Sequence, residues 1–230
     1  MTSEWSNPDL VRAYTEANKN AAANWYETDV NIPDIRRLLD IDGRPARLLD
    51  FGCGPGDFTQ QLHRDYEVTD ADASEAMVRQ AEQSYPDITF FAWDGSNALP
   101  NSVVPFEAIT TKLTLEFIAD LDRLARNLYD ALTPRGKLVV SVMHPMLGLA
   151  NNSAVDYWEP KPYETQIGTT GVHVTKVQHT IADYVNSFID QGFTLKVASE
   201  PVVSDVLQEA YGLTAEQVRF PKRLNLLFVK

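Results

Sequence analysis

Between residues 47 and 143 the apolar positions fall into short blocks that alternate between two periods. Arg47–Phe51, Glu67–Ala71, Ile88–Ala92 and Phe106–Thr111 are brief apolar or alternating runs, and Lys137–Met143 is a continuous one. These are the patterns of strands buried on one or both faces. Helical spacing fills the gaps. Asp57–Arg64 follows the first strand, Ser74–Ser84 starts on a good N-cap serine, and Asp120–Ala131 puts Leu121, Leu124 and Leu128 on one face, which Leu132 extends. Thr133-Pro134-Arg135-Gly136 reads as a turn before the fifth strand. Further on, Thr180–Gln191 is a helix ended by Gly192, Phe193–Ser199 is a sixth strand, and Arg223–Lys230 is a last one entered from Pro221. Strands and helices alternating at this interval predict an α/β fold, a Rossmann-like doubly wound sheet with crossover helices.

Three segments stand outside that alternation. Residues 1–44 predict a helical N-terminal cap, residues 201–220 a second excursion, and residues 144–178 a long insertion. The insertion is rich in Trp, Tyr, Pro and Gly (Tyr157, Trp158, Pro160, Pro162, Tyr163). A long insertion of that composition in a compact domain predicts a lid or binding loop. Internal repeats and linkers are missing, so residues 1–230 read as one domain with a cap and a lid.

Composition adds mainly a sign. Thirty-two acidic against 20 basic residues leave a net charge of −12, and the basic pairs Arg36-Arg37 and Lys222-Arg223 are isolated. That balance disfavours nucleic acid and anionic membranes as partners. The opening MTSEWSNPDL is polar and acidic rather than a signal peptide, and the longest apolar run, Leu138–Met143, is too short to span a bilayer. Cys53 is the single cysteine, which suits a reducing compartment. The expectation is a cytoplasmic protein, monomer or homodimer, with neither nucleic acid nor membrane as partner.

One stretch specifies a ligand. In Leu48-Leu49-Asp50-Phe51-Gly52-Cys53-Gly54-Pro55-Gly56-Asp57 an apolar strand ends in an acid, breaks into alternate glycines and restarts as a helix. Such a turn sets bare backbone and helix N-terminal N–H groups against a bound molecule. A dinucleotide fingerprint places its third glycine one position beyond Gly56, where this chain has Asp57. A carboxylate at the helix start repels a diphosphate and tolerates a cation.

The segment DFGCGPGDFT resembles motif I of the class I S-adenosylmethionine-dependent methyltransferases, and the likeness runs over residues 46–144, 176–200 and 221–230. The resemblance implies a seven-stranded sheet, its last strand antiparallel, and S-adenosylmethionine as cofactor with S-adenosylhomocysteine as product. It implies that Asp50, Phe51, Gly52, Cys53, Gly54 and Gly56 hold the methionine portion. At the second strand's end, Asp72 and Ala73 precede Ser74, so Asp72 matches the ribose acid, with Asp70 the second choice. Asp94 and Gly95 match the adenine edge, and Trp93 or Met77 flanks the ring. Lys112 and Leu113 match the segment passing the sulfonium. Lys112 departs from the small residue usual there, so its side chain is expected to turn away. Tyr14, Trp25 and Tyr26 are the aromatic candidates for covering the methionine end through cation–π attraction.

Methyl transfer asks mainly for alignment, and for a base only if the acceptor carries a proton. His144 (before Pro145), His179 and Glu116 are the candidate bases, with Trp158 and Tyr163 shaping the acceptor pocket. Structural roles compete: His144 as a loop-bonding residue, His179 as a helix cap. The histidines are dispersed and Cys53 is alone, which argues against a metal site. A G-x-S-x-G nucleophile elbow is absent. The reading is methyl transfer to an O, N or C atom of a small molecule. Its alternatives are a cofactor-binding protein without catalysis and an NAD(P)-dependent oxidoreductase.

Overall fold

The structure is a computed structural model that describes residues 3–18, 24–147, 156–159, 161–166 and 172–230; Pro160 of the insertion lies outside these. Its centre is a seven-stranded sheet formed by β1 (Arg47–Phe51), β2 (Glu67–Asp72), β3 (Phe90–Ala92), β4 (Phe106–Lys112), β5 (Leu132–Met143), β8 (Thr194–Ser199) and β9 (Arg223–Val229). Their spatial order is β3-β2-β1-β4-β5-β9-β8. β1 to β5 pair in parallel, and β9 runs antiparallel to both β5 and β8. The order reverses beside β1 and β4, which places the ligand crevice beyond the carboxyl ends of those strands.

Period-two alternation along each strand divides the core. Leu49, Phe51, Ile109 and Val140 pack with α5 (Leu121–Ala131) and α6 (Ile181–Ile189) on one face. Leu48, Ala108, Val139 and Leu227 pack with α2 (Ile32–Asp40) and α3 (Thr59–Leu62) on the other. Helix starts follow the expected caps. Ser74 accepts from Met77 N ahead of α4 (Glu75–Ser84), Asp120 accepts from Arg123 N, and Thr180 with Asp183 forms a reciprocal capping box.

Beyond shifts of one or two residues at other ends, three elements differ from the sequence reading. The helix expected over Asp57–Arg64 contracts to α3, because the glycine turn uses up much of the short link between β1 and β2. The third strand begins at Phe90, since Ile88 N is held in a turn by Tyr85 O. The turn Thr133–Gly136 lies within β5 as a bulge: Phe106 pairs with Leu132 while Ala108 already pairs with Lys137, and Arg135 takes φ +66°.

The insertion holds an antiparallel hairpin, β6 (Pro162–Gln166) with β7 (His173–Val177). Val172 and Val174 pack with Trp5, Val11, Met77 and Phe117 from the N-terminal segment, α4 and the 3-10 turn Leu115–Phe117. Glu4 accepts from Thr175 N (2.9 Å) and Thr175 Oγ1 (2.6 Å), tying the cap, which includes α1 (Pro8–Asn18), to the hairpin. The excursion after β8 contains α7 (Asp205–Ala210). Among the described residues no helix is long and apolar enough to cross a membrane.

Candidate active site

The glycine turn leaves β1 with Gly52, Gly54 and Gly56 at φ +79°, +57° and +92°, a region that other L-residues rarely adopt. A side chain on Gly52 would collide with Thr114, and one on Gly56 would come within 2.8 Å of the Tyr85 ring. At Gly54 nothing lies within 4 Å of where a Cβ would stand. Gly52 and Gly56 thus serve packing, and Gly54 borders open space. Gly52 N–H and Cys53 N–H both donate to Ala71 O (2.8 and 3.1 Å), which locks the turn onto the end of β2. Phe51 and Cys53 are buried behind it.

Carboxylates gather at the same place. Asp72 accepts from Gly54 N (2.9 Å) and Ser74 N (2.8 Å), so the acid holds the turn and the start of α4 together. Ala73 bridges the two. Asp50 accepts from Thr59 Oγ1 (2.5 Å), and burial, reinforced by Asp70, pushes its pKa up to about 7. Asp70 sits 2.7 Å from His63 Nε2, with its other oxygen buried and unbonded; burial raises its pKa and that of Asp72. Three buried acids beside an open glycine turn carry more negative charge than the fold compensates, which fits a cationic ligand. Asp70 lies too deep, and is too committed to His63, to be the outermost acid; that position is Asp72's.

Lys112 extends towards the N-terminal cap, where its Nζ is 3.7 Å from Glu27 Oε2 and 5.6 Å from the Phe58 ring centroid. Next to it Leu113 takes φ +56° with its N–H bonded to Ser141 O (2.7 Å), a strained conformation for a leucine at the mouth of the crevice. Beyond β3, Asp94 is exposed and accepts from Ser96 N (2.9 Å); the Ser96 hydroxyl first, and that backbone bond second, lower its pKa. Trp93 is buried, bonded to Asn97 O and edge-on to Phe51. Gly95 O accepts from Asn127 Nδ2 (2.7 Å). Met77 is covered by the cap, where Tyr14 packs edge-on to Trp5. Trp25 and Tyr26 turn elsewhere. Trp25 stacks on Tyr211, Tyr26 donates to Pro201 O, and the ammonium of Lys222 lies over both rings. That pair holds a cation of the chain itself.

A cavity of about 10 Å³ lies between the 3-10 turn, the end of β5 and the hairpin, lined by Glu116, Met143, Pro145, Tyr163, Gln178 and His179 among others. Glu116 Oε1 accepts from Met143 N (2.6 Å), while Oε2 is buried without a partner. His179 Nε2 donates to Ile118 O (2.8 Å), and burial lowers its pKa, favouring the neutral ring. Burial and the charge of Glu116 push Tyr163 up to about 12, so its phenol stays a donor. Glu116, His179 and Tyr163 therefore line one cavity. His144 does not join them. The chain alternates through Met143 and Pro145, and the His144 ring points the opposite way, with Nε2 on Glu200 (2.9 Å) and Nδ1 accepting from Met146 N. Trp158 is 79% exposed and outside the cavity. Lys176 escaped sequence reasoning, although the alternation Val172, Val174, Lys176, Gln178 marks it as inward-facing.

Residues 25–180 match a family model described as a methyltransferase domain. Trans-aconitate 2-methyltransferase of Yersinia pestis (strain Pestoides F) is 28% identical over 177 residues, covering 76% of this chain and 63% of that protein. The protein of the same name from Variovorax paradoxus (strain S110) is 30% identical over 142 residues, covering 60% and 50%. The chain thus spans less than two thirds of the length of these curated relatives. The solved structure of an S-adenosylmethionine-dependent methyltransferase from Mesorhizobium loti aligns with a TM-score of 0.66 and 27% identity, over 90% of this chain and 98% of that one. CalS10, an amino pentose methyltransferase from Micromonospora echinaspora solved with S-adenosylmethionine bound, shares the fold at a TM-score of 0.64 and 17% identity, over 94% and 96%.

Proposed function

Since the chain belongs to the class I S-adenosylmethionine-dependent methyltransferases, we propose that it transfers a methyl group from that cofactor to a small-molecule acceptor lodged against Glu116. The observation that carries this reading is the open backbone at Gly54 ringed by the buried acids Asp50, Asp70 and Asp72. When bound, S-adenosylmethionine supplies an activated methyl group on a sulfonium. The protein's work is then recognition and alignment.

Asp72 has two carboxylate oxygens, each already holding one backbone N–H and each retaining lone-pair capacity for a ribose hydroxyl. Gly54 admits the ligand where any side chain would obstruct it. Asp50 and Asp70 supply the negative field, and Asp94 is available to an amine edge beyond β3. On the acceptor side, Glu116 Oε2 is an unengaged proton acceptor and His179 is a neutral ring beside it. We take the protein to act in the cytoplasm as a monomer or homodimer, and the net charge of −12 speaks against a polyanionic acceptor.

Calorimetry with S-adenosylhomocysteine and with NAD tests the reading directly. The former should bind and the latter should not. Asp72→Ala should weaken S-adenosylhomocysteine about 10- to 100-fold, the effect of losing charge-assisted bonds of 1.5–3 kcal/mol, while circular dichroism stays native. Binding of NAD in its place would refute the reading. Cofactor binding without turnover on any acceptor would leave a binding protein.

A further inference from the structure

β7 carries a buried cation that finds no hydrogen-bonding partner among the described residues. Val172, Val174, Lys176 and Gln178 form the inner row of the hairpin, and Lys176 is 8% exposed. Its ammonium lies 5.5 Å from the Phe117 ring centroid, and among the described residues no carboxylate stands within 4 Å of it. Burial lowers its pKa, partly offset by Glu116. Its register partner Tyr163 and its neighbours Val177 and Gln178 line the small cavity described above. Glu116, 3% exposed, leaves Oε2 unbonded in that same region. Among the described residues the Lys176 ammonium has no hydrogen-bond partner and Glu116 Oε2 is buried without one; a buried carboxylate oxygen left so is costly unless something else completes it.

The two deficits differ in kind. An ammonium wants an anion, and a carboxylate oxygen wants a donated hydrogen. Building on the methyltransferase reading, we propose that Lys176 and Glu116 jointly recognise the acceptor as a small hydroxy- or amino-carboxylic acid, Lys176 pairing with its carboxylate and Glu116 Oε2 with its O–H or N–H. As the new bond from that oxygen or nitrogen to the methyl carbon forms, the sulfur–carbon bond breaks and its electron pair stays on sulfur. The O–H or N–H proton passes to Glu116 and from there to solvent. A tricarboxylate such as trans-aconitate matches this site poorly, since it meets one ammonium and one carboxylate, while nearby Arg223 is already committed to Glu27 (2.5 Å). The methyl donor also has a carboxylate, so the test must tell the two sources apart.

Wild-type protein saturated with S-adenosylhomocysteine is melted with glycolate, glycine, salicylate and anthranilate, with their neutral amides, and with trans-aconitate. At least one hydroxy or amino acid should stabilise more than its amide and more than trans-aconitate. Lys176→Met should abolish that preference, lowering acid affinity at least about tenfold, and Lys176→Arg should restore part of it. S-adenosylhomocysteine affinity should change less than about threefold in both variants, which also shows that they fold. Glu116→Gln should keep acid binding but slow methylation of that acid about 100-fold or more, the usual effect of losing a general base. No acid preferred over its amide, or trans-aconitate preferred over all, overturns the proposal. So does a tenfold loss of S-adenosylhomocysteine affinity in Lys176→Met, which would assign the cation to the donor. An acid that binds selectively yet is never methylated removes the Glu116 step. Failure of the wild type to bind S-adenosylhomocysteine at all would instead be the failure of the methyltransferase reading.

Discussion

Gly52 and Gly54 share a turn and a left-handed backbone, yet they answer to different neighbours. Gly52 abuts Thr114, so Gly52→Ala adds a clash to the strain of φ +79° and should cost several kcal/mol, enough to lower the melting temperature steeply. Gly54→Ala meets no atom and should cost only about 1–2 kcal/mol for its left-handed φ. Its S-adenosylhomocysteine affinity should nevertheless fall at least about tenfold, because the methyl group fills the ligand's space. Melting curves and calorimetry on both variants check this; normal affinity in Gly54→Ala would mean that the ligand lies elsewhere. The glycine spacing was visible in the sequence. Which glycine borders open space was not, because Thr114 arrives from 62 residues further along the chain. The choice between Asp70 and Asp72 had the same difficulty. Both fall on one side of β2, and only the bonds to His63 and Gly54 separate a buried structural acid from one at the strand's rim.

Elements were legible where burial alone dictates them. The runs forming β1, β4, β5 and β9 lie in the middle of the sheet, so their apolar continuity leaves little choice of structure. The hairpin was not legible, since its outer face is polar and aromatic residues in an insertion indicate only an ordered cover. Its attachment runs through Glu4 and two apolar positions, Val172 and Val174. Glu4→Ala removes both charge-assisted bonds to Thr175 and should release β7 locally, with a loss of global stability of about 1–3 kcal/mol. Amides of residues 173–177 should exchange with deuterium faster by about tenfold or more, while β1, β4 and β5 keep their protection. Unchanged exchange in β7 would show that the valines alone secure the hairpin.

For the whole molecule, the acids at the crevice and those under the cap pull stability in opposite directions along the pH axis. Burial would raise the Glu27 carboxyl, but Arg223, Lys112 and Asn31 outweigh it and hold the pKa at about 2, against an ordinary 4.5. A depressed acid stabilises the fold above its unfolded pKa and loses that contribution as pH falls towards 2, on the order of 3 kcal/mol in all. Asp50 is the reverse case. With its pKa raised from 3.8 to about 7, its stabilising contribution is complete below 3.8 and disappears as pH rises through 7. Asp70 and Asp72 are shifted upward too, and a net charge of −12 adds repulsion of the same sign. Without ligand, denaturant unfolding should therefore show a stability maximum near about pH 4.5–5 and a decline of a few kcal/mol by about pH 8. Asp50→Asn should flatten that decline. Saturating S-adenosylmethionine should move the maximum towards neutrality, and its binding near about pH 7 should release protons, seen as a binding heat that depends on the buffer's ionisation enthalpy. Equal stability at the two pH values, together with a neutral effect of Asp50→Asn, would show that the crevice acids are already compensated and that the charge argument for a cationic ligand is wrong.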